Sequence, residues 1–302
     1  MSLLAFRGAI EQGMIYSLVA IALFVSYRIL DIADLTTDGT FTLGAAASAI
    51  FTTFGTPWLG LGLAVIMGAA AGFVTALLQT KLKVQPILAG IITMTALYSI
   101  NLIVMGGKSN LPLMKKSTVF TFFETLFGKN YGKLIFIVIV VTLLCALLAF
   151  FLRTRLGLSI RATGDNKDMV RSSSINPAFT ITIGLMLANA ITALSGALFA
   201  QHQQFSDISL GTGMVVVGLA SLIIGEVIIG TSTIPRCIIG AVVGSIIYRI
   251  IIAFALNTNI SASNLKLVSA IIVAIAISYP AIKEQIAFYK LRKAGRNHVN
   301  TK

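Results

Sequence analysis

Long apolar runs, broken by short polar stretches, set the pattern of this chain. Nine such runs lie near residues 9–30, 37–54, 57–80, 86–106, 133–152, 178–200, 211–230, 236–257 and 264–282. Each approaches the roughly 20 apolar residues that carry an α-helix across a bilayer. The run 37–54 is the weakest, being short and rich in Thr and Ala. The pattern predicts an all-α, polytopic membrane protein of about nine transmembrane helices. The first run is long enough to span and reads as a retained signal-anchor rather than a cleaved leader.

One polar interruption stands out, RATGDNKDMVRSSSINP at 161–177. Asp165 is a candidate helix N-cap, with Asp168 three residues on as a variant capping box. Pro177 restricts Asn176 and marks the entry to the next run. The helix between them would have about eight or nine residues, too short to be stable alone in water. It therefore needs a surface, with Met169, Val170 and Ile175 for apolar contact and Arg161, Lys167 and Arg171 for charge. A solvated loop is the plainer alternative.

Composition sharpens the membrane reading. Of the 302 residues 57% are hydrophobic and 11% charged, and the mean hydropathy is +0.93. A soluble domain carries roughly 25% charged residues. The net charge of +13 does not gather into one basic face with aromatics, which excludes nucleic-acid binding. The cations sit instead at the ends of apolar runs. Nine spans with the C-terminus inside place 15 Lys and Arg in the cytoplasm and seven outside, with Arg249 inside a span; the positive-inside bias favours that orientation. Lys108, Lys115, Lys116 and Lys129 oppose it without overturning the total. Segment 161–177 is then cytoplasmic. Cys145 and Cys237 lie singly inside apolar runs and His202 and His298 are isolated, a pattern without a metal site.

The halves echo each other. Gly13 corresponds to Gly184, Asp34 to Asp207, Gly39 and Gly44 to Gly213 and Gly218, and the pair Gly68/Gly72 to Gly240/Gly244, all at similar offsets. On the topology above the two units have opposite starting sides, so an inverted repeat is expected. The Gly68/Gly72 and Gly240/Gly244 pairs also let a neighbouring helix approach closely, within the chain or at a dimer seam.

Three further motifs carry candidate chemistry. In RILDIADLTTDGTFTLGAA, residues 28–46, Asp31, Asp34 and Asp38 lie among Thr36, Thr37 and Thr40. Carboxylates in hydrocarbon are costly unless protein or water surrounds them. The segment is either a broken helix lining a transport path or its gate, or a turn in which Asp38 or a Thr caps the next helix. In residues 90–106, Thr95, Tyr98 and Ser99 fall near one helix face, suited to a solute path or to interhelical bonds. Glu226 and Arg249 sit inside spans, as structural pairs or as conduction groups. GGKS at 106–109 ends like a P-loop, but position 102 is Leu where the motif needs Gly. ATP, if used, is bound by another chain.

The stretch RATGDNKDMVRSSSINPAFTITIGLMLANAITALSGALFA resembles the signature of membrane permeases of ATP-binding-cassette importers of the ribose and branched-chain amino-acid type. Arg161, Ala162, Gly164, Asn166, Arg171, Ile175 and Asn176 match its pattern, while Met169, Val170 and Ser174 stand where small residues or glycine are usual. The likeness extends over about residues 10–280. Within the family DLTTDGTFTLGAA and ILAGIITMTALYSINLIVMG look most like a branch associated with aromatic amino-acid uptake.

That resemblance implies a single permease domain over 1–302. It comprises a first repeat at about 9–106, a linking span at 133–152, a cytoplasmic coupling segment at 153–177, a second repeat at 178–282 and a basic tail at 283–302. It implies a homodimer in the cell membrane with a cytoplasmic C-terminus, two ATPase subunits that hold ATP and Mg, and an extracytoplasmic solute-binding lipoprotein. This chain would make or break no bond and hold no cofactor. The coupling helix, with Arg161, Asp165, Asn166, Lys167, Met169, Val170, Arg171, Ile175 and Asn176, would seat in the ATPase. The path or gate would use Asp34, Thr36, Asp38, Thr40, Thr95, Tyr98 and Ser99. A proton- or sodium-coupled transporter titrating Asp34, Asp38 or Glu226 is the rival reading.

Overall fold

A computed structural model describes residues 3–128 and 131–256, with the single positions 267, 270, 271, 274 and 278. The chain folds as α1 (Leu3–Leu23), α2 (Thr36–Thr53), α3 (Pro57–Thr80), α4 (Pro86–Val104), β1 (Asn110–Pro112), α5 (Val119–Phe127), α6 (Gly132–Phe151), α7 (Arg155–Asp165), α8 (Lys167–Ser172), α9 (Pro177–Gln203), β2 (Phe205–Asp207), α10 (Met214–Ile229) and α11 (Ile234–Leu256). A π-helical turn, Phe24–Ile29, continues α1.

Among the described residues six helices are long and apolar enough to cross a membrane: α1 with its π-turn, α3, α4, α6, α9 and α11. The expected second span forms at its expected length as α2 but is too polar to join that set, and the seventh forms as the shorter helix α10. α2 has 18 residues and α10 has 16, about 27 and 24 Å at 1.5 Å per residue. The ninth expected span, 264–282, falls largely outside the described residues.

Helix starts follow local chemistry. α3, α4 and α9 each begin with Pro, whose fixed φ and missing N–H suit the first helical position. The centre of the bundle is α9, packed against α1, α2 and α3. In its most apolar window 72% of residues are buried, against 22% for α6, so α9 is the axis and α6 lies at the rim. Small residues permit this. A Cβ on Gly44 would overlap the Ala193 carbonyl, and one on Gly196 the Phe41 carbonyl. Gly68 and Gly72 of α3 meet α9, while Gly240 and Gly244 of α11 meet α10. Both pairs serve packing inside the chain.

The polar ends are tied differently. β1 and β2 pair antiparallel, Leu111 opposite Ser206, and join the α4–α5 loop to the end of α9. At the other end α7 lies against the π-turn, where a Cβ on Gly164 would overlap the Ile29 carbonyl.

Candidate functional site

α2 and α10 start beside each other inside the bundle and run in opposite directions. The far end of α2 lies near the small sheet, where Lys116 Nζ donates to the Thr53 carbonyl at 3.3 Å. The far end of α10 lies at the π-turn, where Arg28 Nε is 3.2 Å from Glu226 Oε1. Two helix N-termini thus converge. Their first N–H groups have no intrahelical acceptor, and in a membrane such groups must be satisfied by protein or a polar cavity.

Two aspartates supply the acceptors. Asp34 Oδ1 accepts the Thr36 N–H at 2.9 Å, which caps α2. The residue before α10 is Gly213, which has no side chain for capping. Its φ of +85° suits glycine. The cap comes instead from α2: Asp38 Oδ2 accepts the Gly213 N–H and Oδ1 the Val215 N–H, both at 2.8 Å. Thr42 Oγ1 takes the Gly211 N–H at 3.0 Å. Asp34 therefore caps its own helix and Asp38 caps the other, a division the sequence left open.

Behind this junction runs a buried polar chain. Asn189 Nδ2 of α9 donates to Asp34 Oδ2 at 2.6 Å, and Thr40 Oγ1 donates to Asn189 Oδ1 at 2.8 Å. Thr36 Oγ1 lies 2.8 Å from Thr75 Oγ1, which donates to Thr93 Oγ1 at 3.0 Å. Four helices, α2, α3, α4 and α9, are pinned here. Asn189, Thr75 and Thr93 were not assigned to the site by sequence. A lone Asn in the apolar run 178–200 was the available signal.

In front of the junction an open cleft of about 300 Å³ is lined by Asp38 and Thr42 of α2, Met94, Thr95, Tyr98 and Asn101 of α4, and Ile208 and Thr212 of the loop before α10. Asp38, Thr95 and Tyr98 are brought together in it. Asp34, Thr36 and Thr40 are buried behind it. Ser99 is exposed and does not line the cleft.

Asp207, the sequence match of Asp34, accepts the Ser209 N–H at 2.8 Å and the Ser209 hydroxyl at 2.5 Å. Both aspartates thus bond the N–H two residues on. Burial is the largest single influence and raises the Asp207 carboxyl, but the hydrogen bonds from Ser209 and Asn110 together outweigh it and hold the group below the usual carboxylate range.

The 161–177 segment departs from expectation in its boundaries. Asp165 ends α7, which starts at Arg155 with the Thr154 side chain as cap. Asn166 is the N-cap of α8, extended at φ −159°, its side chain accepting the Asp168 and Met169 N–H groups at 3.0 Å each. The Asn166 N–H still closes α7 on the Ala162 carbonyl at 2.9 Å, so the break falls one residue on. α8 has six residues rather than eight or nine. Arg161, Asp165, Asn166, Lys167, Met169 and Arg171 are exposed, whereas Val170 is buried and Ile175 half-buried. Asn176 caps α9 through the Ala178 N–H at 3.0 Å. Thr163 and Thr180 join α7 to α9 at 2.8 Å.

The two ionisable groups that the sequence placed inside spans, Glu226 and Arg249, both have partners. Glu226 meets Arg28 as above. Arg249 Nε donates to Gln12 Oε1 at 2.7 Å, a second guanidinium nitrogen reaches the same oxygen, and the group lies 5.3 Å from the Tyr16 ring centre. An amide and an aromatic face thus serve Arg249 where a carboxylate was one expected partner.

The family described as branched-chain amino acid transport system / permease component matches residues 6–278. The chain is 38% identical over 263 residues to a tyrosine transport system permease protein of Clostridioides difficile, covering 87% of this chain and 86% of that one. It is 31% identical over 274 residues to an uncharacterized protein of Rickettsia prowazekii, covering 89% and 95%. To an autoinducer 2 import system permease protein of Yersinia enterocolitica it is 29% identical, covering 66% and 54%. No solved structure matches the chain.

Proposed function

Because the chain belongs to the branched-chain amino acid transport permease family, and so is the non-catalytic, multi-pass membrane subunit of an ABC importer, we propose that it carries an aromatic amino acid, tyrosine foremost, into the cell. The importer includes a separate ATPase and a solute-binding protein. The substrate reading rests on the likeness to the tyrosine permease, which extends over 87% of the chain. The family sets aside the gradient-driven rival.

The working unit is a homodimer whose two clefts face a shared path, with two ATPases on the cytoplasmic side. Segment 153–177 and the C-terminus are cytoplasmic, in line with the positive-inside bias. The exposed face of α7 and α8, from Arg161, Asp165, Asn166 and Lys167 to Met169 and Arg171, seats in the ATPase; Val170, Ile175 and Asn176 hold that face to the bundle. ATP and Mg stay on the ATPase.

Residues 9–106 and 178–282 form two inverted repeats, with α1 and α2 answering to α9 and α10. Each unit has a long helix, a return into the bundle and a shorter helix that starts at the centre, as in transporters with broken helices. The matching hydrogen bonds of Asp34 and Asp207 support this. The observation that carries the mechanism is Asp38, which fastens the start of one repeat's short helix to the start of the other's. Movement of the coupling segment reaches the π-turn through Gly164 and Ile29, and α10 through Arg28 and Glu226. ATP binding acts by favouring one of two access states, to the extent of its differential affinity. Asp34, Thr36 and Thr40 hold the gate; Asp38, Thr95 and Tyr98 line the path, with Ser99 turned to its dimer side.

The test is uptake into proteoliposomes holding this permease, its ATPase and its binding protein. Tyrosine should accumulate with ATP and fail to do so when the ATPase P-loop lysine is replaced. Uptake by the permease without ATPase would overturn the reading.

A further inference from the structure

The cleft in front of α2 and α10 has a charge arrangement that goes beyond lining a path. Each helix N-terminus presents about half a positive charge and free N–H groups, and together they would ordinarily hold an anion. Here the anion belongs to the protein. The Asp38 carboxylate takes the Gly213 and Val215 N–H groups and still borders the cleft, being only half-buried. A solute carboxylate entering at this level finds its donors already used and meets a like charge. An ammonium meets a carboxylate with lone pairs to spare and the hydroxyl of Thr42 nearby.

The facing wall is different. Tyr98, 56% exposed, stands with Met94 and Ile208 on the same cleft, an aromatic and apolar surface suited to a flat ring.

We propose that this cleft is a selective station for an ammonium-bearing, aromatic-bodied solute, with its ammonium toward Asp38 and its ring against Tyr98 and Met94. Asp38 thereby rejects solutes that present only a carboxylate. The inference rests on the cleft being part of the path.

The test uses the purified permease–ATPase complex without binding protein, and three probes: tyrosine, tyramine, which lacks the carboxylate, and hydroxyphenylpropanoate, which lacks the ammonium. Calorimetry should find tyrosine and tyramine bound and hydroxyphenylpropanoate weaker by about tenfold or more, a step of one decade in Kd. Asp38→Asn should erase the difference, and Tyr98→Ala should weaken all binding. Hydroxyphenylpropanoate binding as tightly as tyramine, or none of the three binding up to millimolar concentration, overturns the proposal. If Asp38→Asn does not assemble, the comparison in the unaltered complex decides alone. A separate Thr95→Cys variant, treated with a thiol reagent during uptake, isolates the underlying reading. Blocked uptake without the probe preference leaves the path and sinks the selectivity, whereas uptake untouched after full labelling sinks the path itself.

Discussion

Asp38 lies 175 residues from Gly213 in the chain and accepts its N–H at 2.8 Å, so the first turn of one short helix caps the start of another. The bond joins the two parts of the sequence that carry the same glycine and aspartate pattern. It also explains Gly211. A Cβ there would overlap the Asp38 carbonyl and touch Thr42, so the loop before α10 can reach α2 only as backbone.

Gly211→Ala is therefore expected to destabilise the permease by about 1–3 kcal/mol, the usual cost of overpacking a close contact. Gly62→Ala, with open space around it, is expected to be neutral or slightly stabilising. Melting of the two purified variants in one detergent checks this, and equal melting temperatures would contradict the close approach.

Asp34 and Asn189 share a 2.6 Å hydrogen bond. Removing one partner leaves the other buried and short of one hydrogen bond, with Thr36 still on Asp34 and Thr40 and Leu185 still on Asn189, at about 1 kcal/mol or more. Asp34→Ala is expected to reduce uptake more than it reduces membrane expression. In a double-mutant cycle with Asn189→Ala the losses should be clearly less than additive. Equal loss of uptake and expression would reduce Asp34 to a helix cap.

Arg28 and Glu226 link the π-turn to the end of α10. Arg28 is 53% exposed along its side chain, so water screens much of the attraction and little global stability is at stake. The expected effect is on coupling. Arg28→Glu and Glu226→Arg should each lower ATP-driven uptake, and the double exchange should recover most of it. Uptake that stays low in the double exchange would remove the pair from the coupling route.

Met169 is 54% exposed on α8 between cations. Met169→Asp, or charge reversal at Arg161 or Arg171, should weaken capture of the ATPase while leaving membrane insertion intact. Asn166→Ala removes an N-cap, costing about 1 kcal/mol, and should weaken capture through disorder of α8. Unchanged pull-down in all four variants would place the ATPase elsewhere.

Asp207 supplies a pH effect with a definite sign. Its folded carboxyl is held below its ordinary value, so its contribution is present above the unfolded pKa of about 3.9 and fades as pH falls through the folded value. Asp207→Asn should flatten acid loss of order around Ser209 below about pH 4, measured by amide hydrogen exchange. Identical acid profiles would mean that the Ser209 bonds do not favour the ionised form.

The sequence carried the all-helical membrane class plainly, because hydropathy and helix length obey the same constraint, although six of the nine expected spans are long and apolar enough to cross among the described residues. Residues 57–80 in the sequence and Pro57–Thr80 in the structure coincide, as do 86–106 and Pro86–Val104 to within two residues. The weakness of 37–54 was visible as Thr and Ala content, which reflects a helix buried on nearly all sides rather than facing lipid. The acidic cluster was legible as a place needing explanation. Its division of labour was not, because a carboxylate in sequence does not tell which chain end will offer it an N–H.

What the residues by themselves determined is the class of molecule: continuous apolar runs of about 20 residues cross a bilayer as helices, which satisfy every backbone group within the segment, whereas the polar segment 161–177 is unsuited to hydrocarbon. Tertiary structure alone decided that Asp38 serves α10 rather than α2, that Asn189 completes Asp34, and that Gly68/Gly72 and Gly240/Gly244 pack within the chain. Those outcomes depend on which helix faces meet, for Asp38, Asn189 and Gly68/Gly72 across more than a hundred residues, and local periodicity fixes a face without naming its partner.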